Sequence, residues 1–117
     1  IETLMMIDSL DMTDKGRALI VDSCANAKED QIIITHGTDT MTQTAMEVGQ
    51  KKLKKTIVLT GAMIPYKFGT SDGLFNIASA LAYVQTLPIG VYVAMNGRVF
   101  EHDKVKKNRD TGIFEEV

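Results

Sequence analysis

Short apolar runs alternate along this chain with longer stretches whose apolar residues recur every three or four positions. Leu4-Met5-Met6-Ile7 reads as a strand, Asp8 to Met12 as the loop at its carboxyl end, and Thr13 as the N-cap of a helix reaching Lys28. Ala18, Leu19, Val21, Cys24 and Ala25 form that helix's expected buried face. Gln31 to Thr35 holds a β-branched run expected of a strand covered on both faces. A polar loop follows, and Thr40-Met41-Thr42-Gln43 fits a capping box opening a helix to about Leu53. Thr56 to Thr60 is the next strand, and Gly61 to Pro65 its loop. Ser71 can cap a helix from Asp72 to Gln85, with Leu74, Ile77, Ala78, Leu81, Ala82 and Val84 at helical spacing. Ile89 to Met95 and Arg98 to Phe100 flank Asn96-Gly97, a strong hairpin turn. Glu101 to Val117 is charged and weakly patterned, leaving helix, strand or disorder open. Strand and helix alternate, which predicts an α/β fold: an open, mostly parallel sheet with right-handed crossovers and helices on both faces, ending in a β-hairpin.

At 117 residues, 44% apolar, this is one domain or part of one. A net charge of −2 argues against a nucleic-acid surface. No apolar run approaches the roughly 20 residues that span a bilayer. Cys24 is the only cysteine, so no intrachain disulfide forms. No signal peptide is evident, which favours the cytoplasm over the periplasm while leaving the compartment open. Neither a Gly-rich phosphate fingerprint nor a nucleophile elbow is present, and no cofactor is implied.

Three loops should meet at one end of the sheet: Asp8 to Met12, Thr35 to Thr40, and Thr60 to Pro65. Hydroxyls dominate them, with carboxylates alongside, which suits a small polar substrate bearing carboxylate or amide groups. A threonine hydroxyl needs a base before it, or a water it holds, can attack. Lysine is a plausible partner, and Lys104, Lys106 and Lys107 follow the hairpin. Thr38, Asp39 and Thr40 equally fit a purely structural helix start, and the pattern leaves both readings open. His36 has no Cys, His or carboxylate at metal-ligand spacing, so no metal site is expected.

Ile34-Thr35-His36-Gly37-Thr38-Asp39-Thr40-Met41 resembles the second signature of the bacterial-type L-asparaginase/glutaminase family. Thr60-Gly61-Ala62-Met63-Ile64-Pro65, then Ser71-Asp72-Gly73 and Asn76, resembles that family's next landmark, and Asp8-Ser9 before Asp11-Met12 its substrate-binding loop. The resemblance runs from about residue 4 to residue 114. It implies a Rossmann-like asparaginase N-terminal domain over residues 1–117, without the family's first strand and second domain. It also implies hydrolysis of L-asparagine to L-aspartate and ammonia, with L-glutamine a slower substrate. Thr38, Asp39 and Lys107 would be catalytic, Lys106 replacing Lys107 under a one-residue shift. Ser9 would bind the substrate α-carboxylate, Asp39 the α-amino group and Ala62, through its carbonyl, the amide nitrogen, with Gly37 shaping the loop. The implied partners are a small-molecule substrate and further copies of the chain, with no nucleic acid and no membrane.

Two features depart from the family pattern. The Thr-Gly-Gly-Thr loop that carries the family's usual nucleophile has no match here, and Leu10 stands where many members have a polar residue. Little or no hydrolysis is therefore expected of the chain alone. The alternatives are the amidase portion of a glutamyl-tRNA amidotransferase and a non-catalytic domain for amino-acid binding or oligomerisation.

Overall fold

The computed structural model describes residues 13–63 and 72–117. The expected strand at Leu4 to Ile7, the loop carrying Ser9 and the proposed cap at Ser71 lie outside these residues. Helix α1 spans Asp14–Asn26 and α2 Met41–Gln50, with strand β1 at Gln31–Thr35 between them. Strand β2, Thr56–Thr60, precedes helix α3, Gly73–Thr86. Strands β3 (Gly90–Met95), β4 (Arg98–Glu101), β5 (Val105–Lys107) and β6 (Phe114–Glu116) complete the order. The main sheet runs β1-β2-β3-β4, its first three strands parallel and β4 antiparallel to β3. Asn96 and Gly97 both have positive φ, 56° and 78°, as a two-residue hairpin turn of type I′ requires.

The helix starts follow local chemistry unevenly. Thr13 caps α1 as expected, its Oγ1 accepting from Gly16 N at 3.0 Å. Thr40 occupies the N-cap of α2 without a side-chain cap bond. Its ψ of 14° departs from the extended backbone from which a cap side chain reaches the first turn. Helix α2 also stops at Gln50 rather than Leu53, because Lys52 turns left-handed at φ 50°.

Two buried faces differ from the expected ones. On α1 the buried residues are Arg17, Ile20, Val21 and Cys24, while Leu19 is exposed. Arg17 lies inward because α2 supplies its partners, Gln43 at 3.2 Å and Glu47 at 3.5 Å. Helix α3 buries Asn76, Ala80 and Val84 and leaves Leu74, Ile77 and Leu81 exposed. That helix is apolar almost all round, so spacing alone could not select a face. The small Ala80 and the hydrogen-bonding Asn76 take the sheet side.

The sheet divides two cores. Residues Met41, Ala45 and Val48 of α2 pack with α1 and with Ile57, Leu59, Val91 and Val93. Ala80 and Val84 of α3 pack with Val58, Tyr92 and Ala94, which alternate with the former along β2 and β3 and so face the other way. Yet the chain steps from β1 to β2 through α2 and from β2 to β3 through α3 in the same direction across the sheet. Same-direction steps with helices on opposite faces have opposite hands, so one of these two crossovers is left-handed. The expectation of uniformly right-handed crossovers is therefore corrected. Helices α1 and α2 together cover one face, and α3 finds its apolar cover on the other.

The charged tail forms a second, two-stranded antiparallel sheet, β5 with β6. Two residues anchor it in the larger core, Val105 at 8% exposure and Phe114 at 1%.

Candidate active site

Strand β1 delivers the chain to α2 on one face, and β2 delivers it to α3 on the other. The chain therefore leaves the carboxyl ends of these two strands toward opposite faces, the arrangement at which open α/β sheets bind ligands. The β1–β2 pairing continues one step past the strand, with His36 N donating to Thr60 O at 2.8 Å. Gly61 sits against this crossing point. A Cβ there would lie 2.2 Å from the His36 carbonyl oxygen, so only glycine lets the two backbones approach so closely.

His36 then shapes the loop from within. It is buried, and its Nδ1 meets Gly37 O at 2.7 Å. A carbonyl only accepts, so Nδ1 carries the proton, and in the neutral ring Nε2 accepts from the Thr44 hydroxyl at 2.9 Å. Burial lowers the imidazole pKa, with Arg17 adding to the shift and the Gly37 bond opposing it. His36 is thus a neutral strut between the loop and α2. Among the described residues no His/Cys/Asp/Glu group could hold a metal ion.

The loop presents Thr38 and Asp39 to a lysine from the second sheet. Lys107 Nζ donates to Thr38 Oγ1 at 2.8 Å and to Asp39 Oδ1 at 2.7 Å. Its side chain is only 9% exposed, that of Asp39 30%. The Lys107 hydrogen bond, then its charge and that of Arg109, hold the Asp39 carboxyl below its ordinary pKa against an opposing desolvation effect. Lys106 points away, 4.0 Å from Glu115 and 61% exposed. Adjacent residues of a strand face opposite ways, so only one of the two can reach the loop. Of the residues expected from the sequence, the structure thus brings Gly37, Thr38, Asp39 and Lys107 together.

Ala62 lies in the loop after β2, exposed, beside an apolar groove of about 230 Å³ lined also by Thr35, Thr60, Gly61, Gly73, Leu74 and Ile77. That groove contains none of Thr38, Asp39 or Lys107. Its walls are apolar and offer no charged partner. Sequence reasoning missed Arg109, whose Nη2 donates to Asp39 O at 2.7 Å from an unpatterned segment. It also missed Thr44, one of several hydroxyls in a helix.

Comparison with known proteins agrees with this architecture. The family model described as "Asparaginase, N-terminal" matches residues 1–114. The probable periplasmic L-asparaginase of Haemophilus influenzae is 35% identical over 96% of this chain and 34% of its own length. The L-asparaginase of Thermococcus kodakarensis is 32% identical over 92% of this chain and 33% of its own. Among solved structures, L-asparaginase I from Vibrio cholerae matches with TM-score 0.82 and 33% identity over 95% of this chain and 36% of that one. The thermostable enzyme from Thermococcus kodakarensis matches with TM-score 0.90 and 28% identity, over 97% and 37%. The chain spans about a third of the length of the curated relatives it matches.

Proposed function

The chain belongs to the asparaginase family, and on that premise we propose that it carries the amide-binding half of an asparaginase-type hydrolase. The reaction is L-asparagine plus water to L-aspartate plus ammonia, with L-glutamine the slower substrate. The observation that supports this most is the single ammonium of Lys107 bridging Thr38 and Asp39. A hydroxyl held this way has a fixed direction, and because an ammonium only donates, its proton can be taken up only after Lys107 has passed one of its own to the Asp39 carboxylate. Thr38 attacks the side-chain amide carbon or orients the water that does. The C–N bond breaks, the nitrogen leaves as ammonia, and water supplies the hydroxyl of the new carboxyl group. Asp39 takes the substrate α-ammonium, Ser9 the α-carboxylate, and the Ala62 carbonyl an amide N–H.

The sequence contains no Thr-Gly-Gly-Thr, so the chain is expected to bind L-asparagine and L-aspartate and to turn over slowly at most. Calorimetry with L-aspartate tests the assignment. Thr38→Ala and Asp39→Ala should each weaken binding by about tenfold or more, as loss of a hydrogen bond to a charged group does. Binding that both substitutions leave intact would place the ligand elsewhere. Ammonia release at the rate of a full-length relative would refute the expectation of slow turnover. Self-association belongs to the same proposal, supported by Leu74, Phe75, Ile77 and Leu81 exposed on α3. Sedimentation as a single monomeric species would count against it.

A further inference from the structure

The Ala62 carbonyl is assigned a part in binding by the reading above, but its loop lies outside any ladder that would aim it. A trans peptide is planar, with its carbonyl and the following N–H pointing in opposite directions. No described peptide is cis. The direction of the Ala62 carbonyl is therefore set by whatever holds the Met63 N–H. That N–H donates to Asp72 Oδ2 at 3.0 Å, at the start of α3. The preceding peptide is held as well, by Asn76 Nδ2 donating to Gly61 O at 2.8 Å. The same amide nitrogen donates to Asp72 Oδ2 at 3.2 Å, with Met95 Sδ a longer contact at 3.7 Å, so Asn76 holds both the Gly61 carbonyl and the Asp72 carboxylate. Its Oδ1 accepts from Asn96 N at 3.1 Å, in the β3–β4 turn. At 1% exposure Asn76 is fixed by the sheet rather than by solvent.

We infer that Asp72 and Asn76 are positioning residues that hold the Ala62 carbonyl in one direction and thereby select an amide over a carboxylate. The inference rests on the amide-binding reading above. A carbonyl held in one direction accepts an amide N–H and offers a carboxylate only repulsion between oxygens. A carbonyl free to swing loses that discrimination. Neither residue touches the substrate.

The test is calorimetry on the 117-residue chain with L-asparagine and L-aspartate, for the unaltered chain, D72A and D72N. D72A should weaken L-asparagine by roughly three- to tenfold, the range of one neutral hydrogen bond, and leave L-aspartate within about twofold. D72N should restore L-asparagine binding, because an amide oxygen still accepts from Met63 N–H and Asn76. On the same samples, hydrogen exchange at the Met63 amide should accelerate in D72A and return toward the unaltered rate in D72N. Equal weakening of both ligands, or of neither, overturns the inference, as does unchanged Met63 exchange in D72A. An unaltered chain that binds neither ligand overturns the substrate reading instead, and the exchange measurement tells the two failures apart.

Discussion

Replacing Gly61 with alanine sets two effects of known size against each other. Gly61 does not require a left-handed backbone, so alanine would ordinarily stabilise the chain by about 0.4–1 kcal/mol, through a less mobile unfolded state. Against this, the new Cβ would lie 2.2 Å from the His36 carbonyl oxygen and 3.0 Å from Met41 Cε. Reaching ordinary contact requires an opening of about 1 Å. The methionine tip can give way. The carbonyl cannot, because His36 N is bonded to Thr60 O one residue before Gly61. Overpacking of this kind costs typically 1–3 kcal/mol, which exceeds the gain, so Gly61→Ala should be destabilised by about 1–2 kcal/mol. With a urea slope of about 1 kcal/mol per molar, the unfolding midpoint should fall by roughly 1 M or more. The displaced carbonyl opens the peptide leading to Gly37 and Thr38, so L-aspartate binding should weaken too. Gly49→Ala serves as a control. Its Cβ would lie 2.2 Å from His102 Cδ2 and 2.6 Å from Cγ, so the half-exposed imidazole must swing aside as a whole, a cost set against about 1 kcal/mol of helix propensity gained. That variant should keep both its midpoint and its ligand. A Gly61→Ala chain with the parent midpoint and affinity would refute the close-approach argument.

Three further outcomes are expected. Phe114→Ala empties the main tether of the second sheet and should weaken the docking of that sheet by about 3–5 kcal/mol, read as faster amide exchange at Val105 to Lys107. Thr44→Val leaves the buried His36 Nε2 without its donor and should cost about 1–3 kcal/mol at pH 8; an unchanged midpoint would show that water fills the place. Asp39 has a depressed folded pKa, so its pairing stabilises the fold above the unfolded carboxylate value of about 3.9 and is lost as pH falls through the lower folded one. Carbon-detected NMR titration should find the Asp39 midpoint below that of a free aspartate in the parent chain, and higher in Lys107→Met.

The elements most legible in the sequence were those whose local chemistry and tertiary role coincide. Ile32 to Ile34 and Ile57 to Leu59 are β-branched or aliphatic runs that the sheet buries or half-buries, and Asn96-Gly97 could hardly be other than a hairpin turn. The rest failed where several solutions satisfied the same pattern. Helix α3 has apolar residues on every side, so its buried face was decided by the room available at Ala80 and the partners available to Asn76. The hand of a crossover leaves no trace in strand and helix lengths. Strands β5 and β6 are three residues each and mostly charged; their existence depends on Val105 and Phe114 finding a core built by residues far away in sequence. Of the site, the residue types and the loop were visible, and family resemblance pointed to Lys107. Which of Lys107 and Lys106 faces the Thr38–Asp39 loop is a matter of strand parity, Arg109 reaches Asp39 from 70 residues away, and the His36–Thr44 bond depends on how the loop folds back on the helix that follows it.

The placement of Lys107 on β5 divides the site between two units of unequal robustness. Among the described residues, Thr38 and Asp39 stand on the end of a four-stranded sheet cored on both faces, whereas the lysine belongs to a two-stranded one whose apolar anchors are Val105 and Phe114. Elements with few buried contacts open locally at a fraction of the global unfolding free energy. The short hairpin is therefore expected to detach and reseat while the larger sheet stays folded, separating ammonium from hydroxyl each time. Heating or mild denaturant should abolish ligand binding before the far-ultraviolet signal of the main sheet and helices changes. Amide exchange at Val105 to Lys107 should likewise outpace that of Ile57 to Leu59 by orders of magnitude.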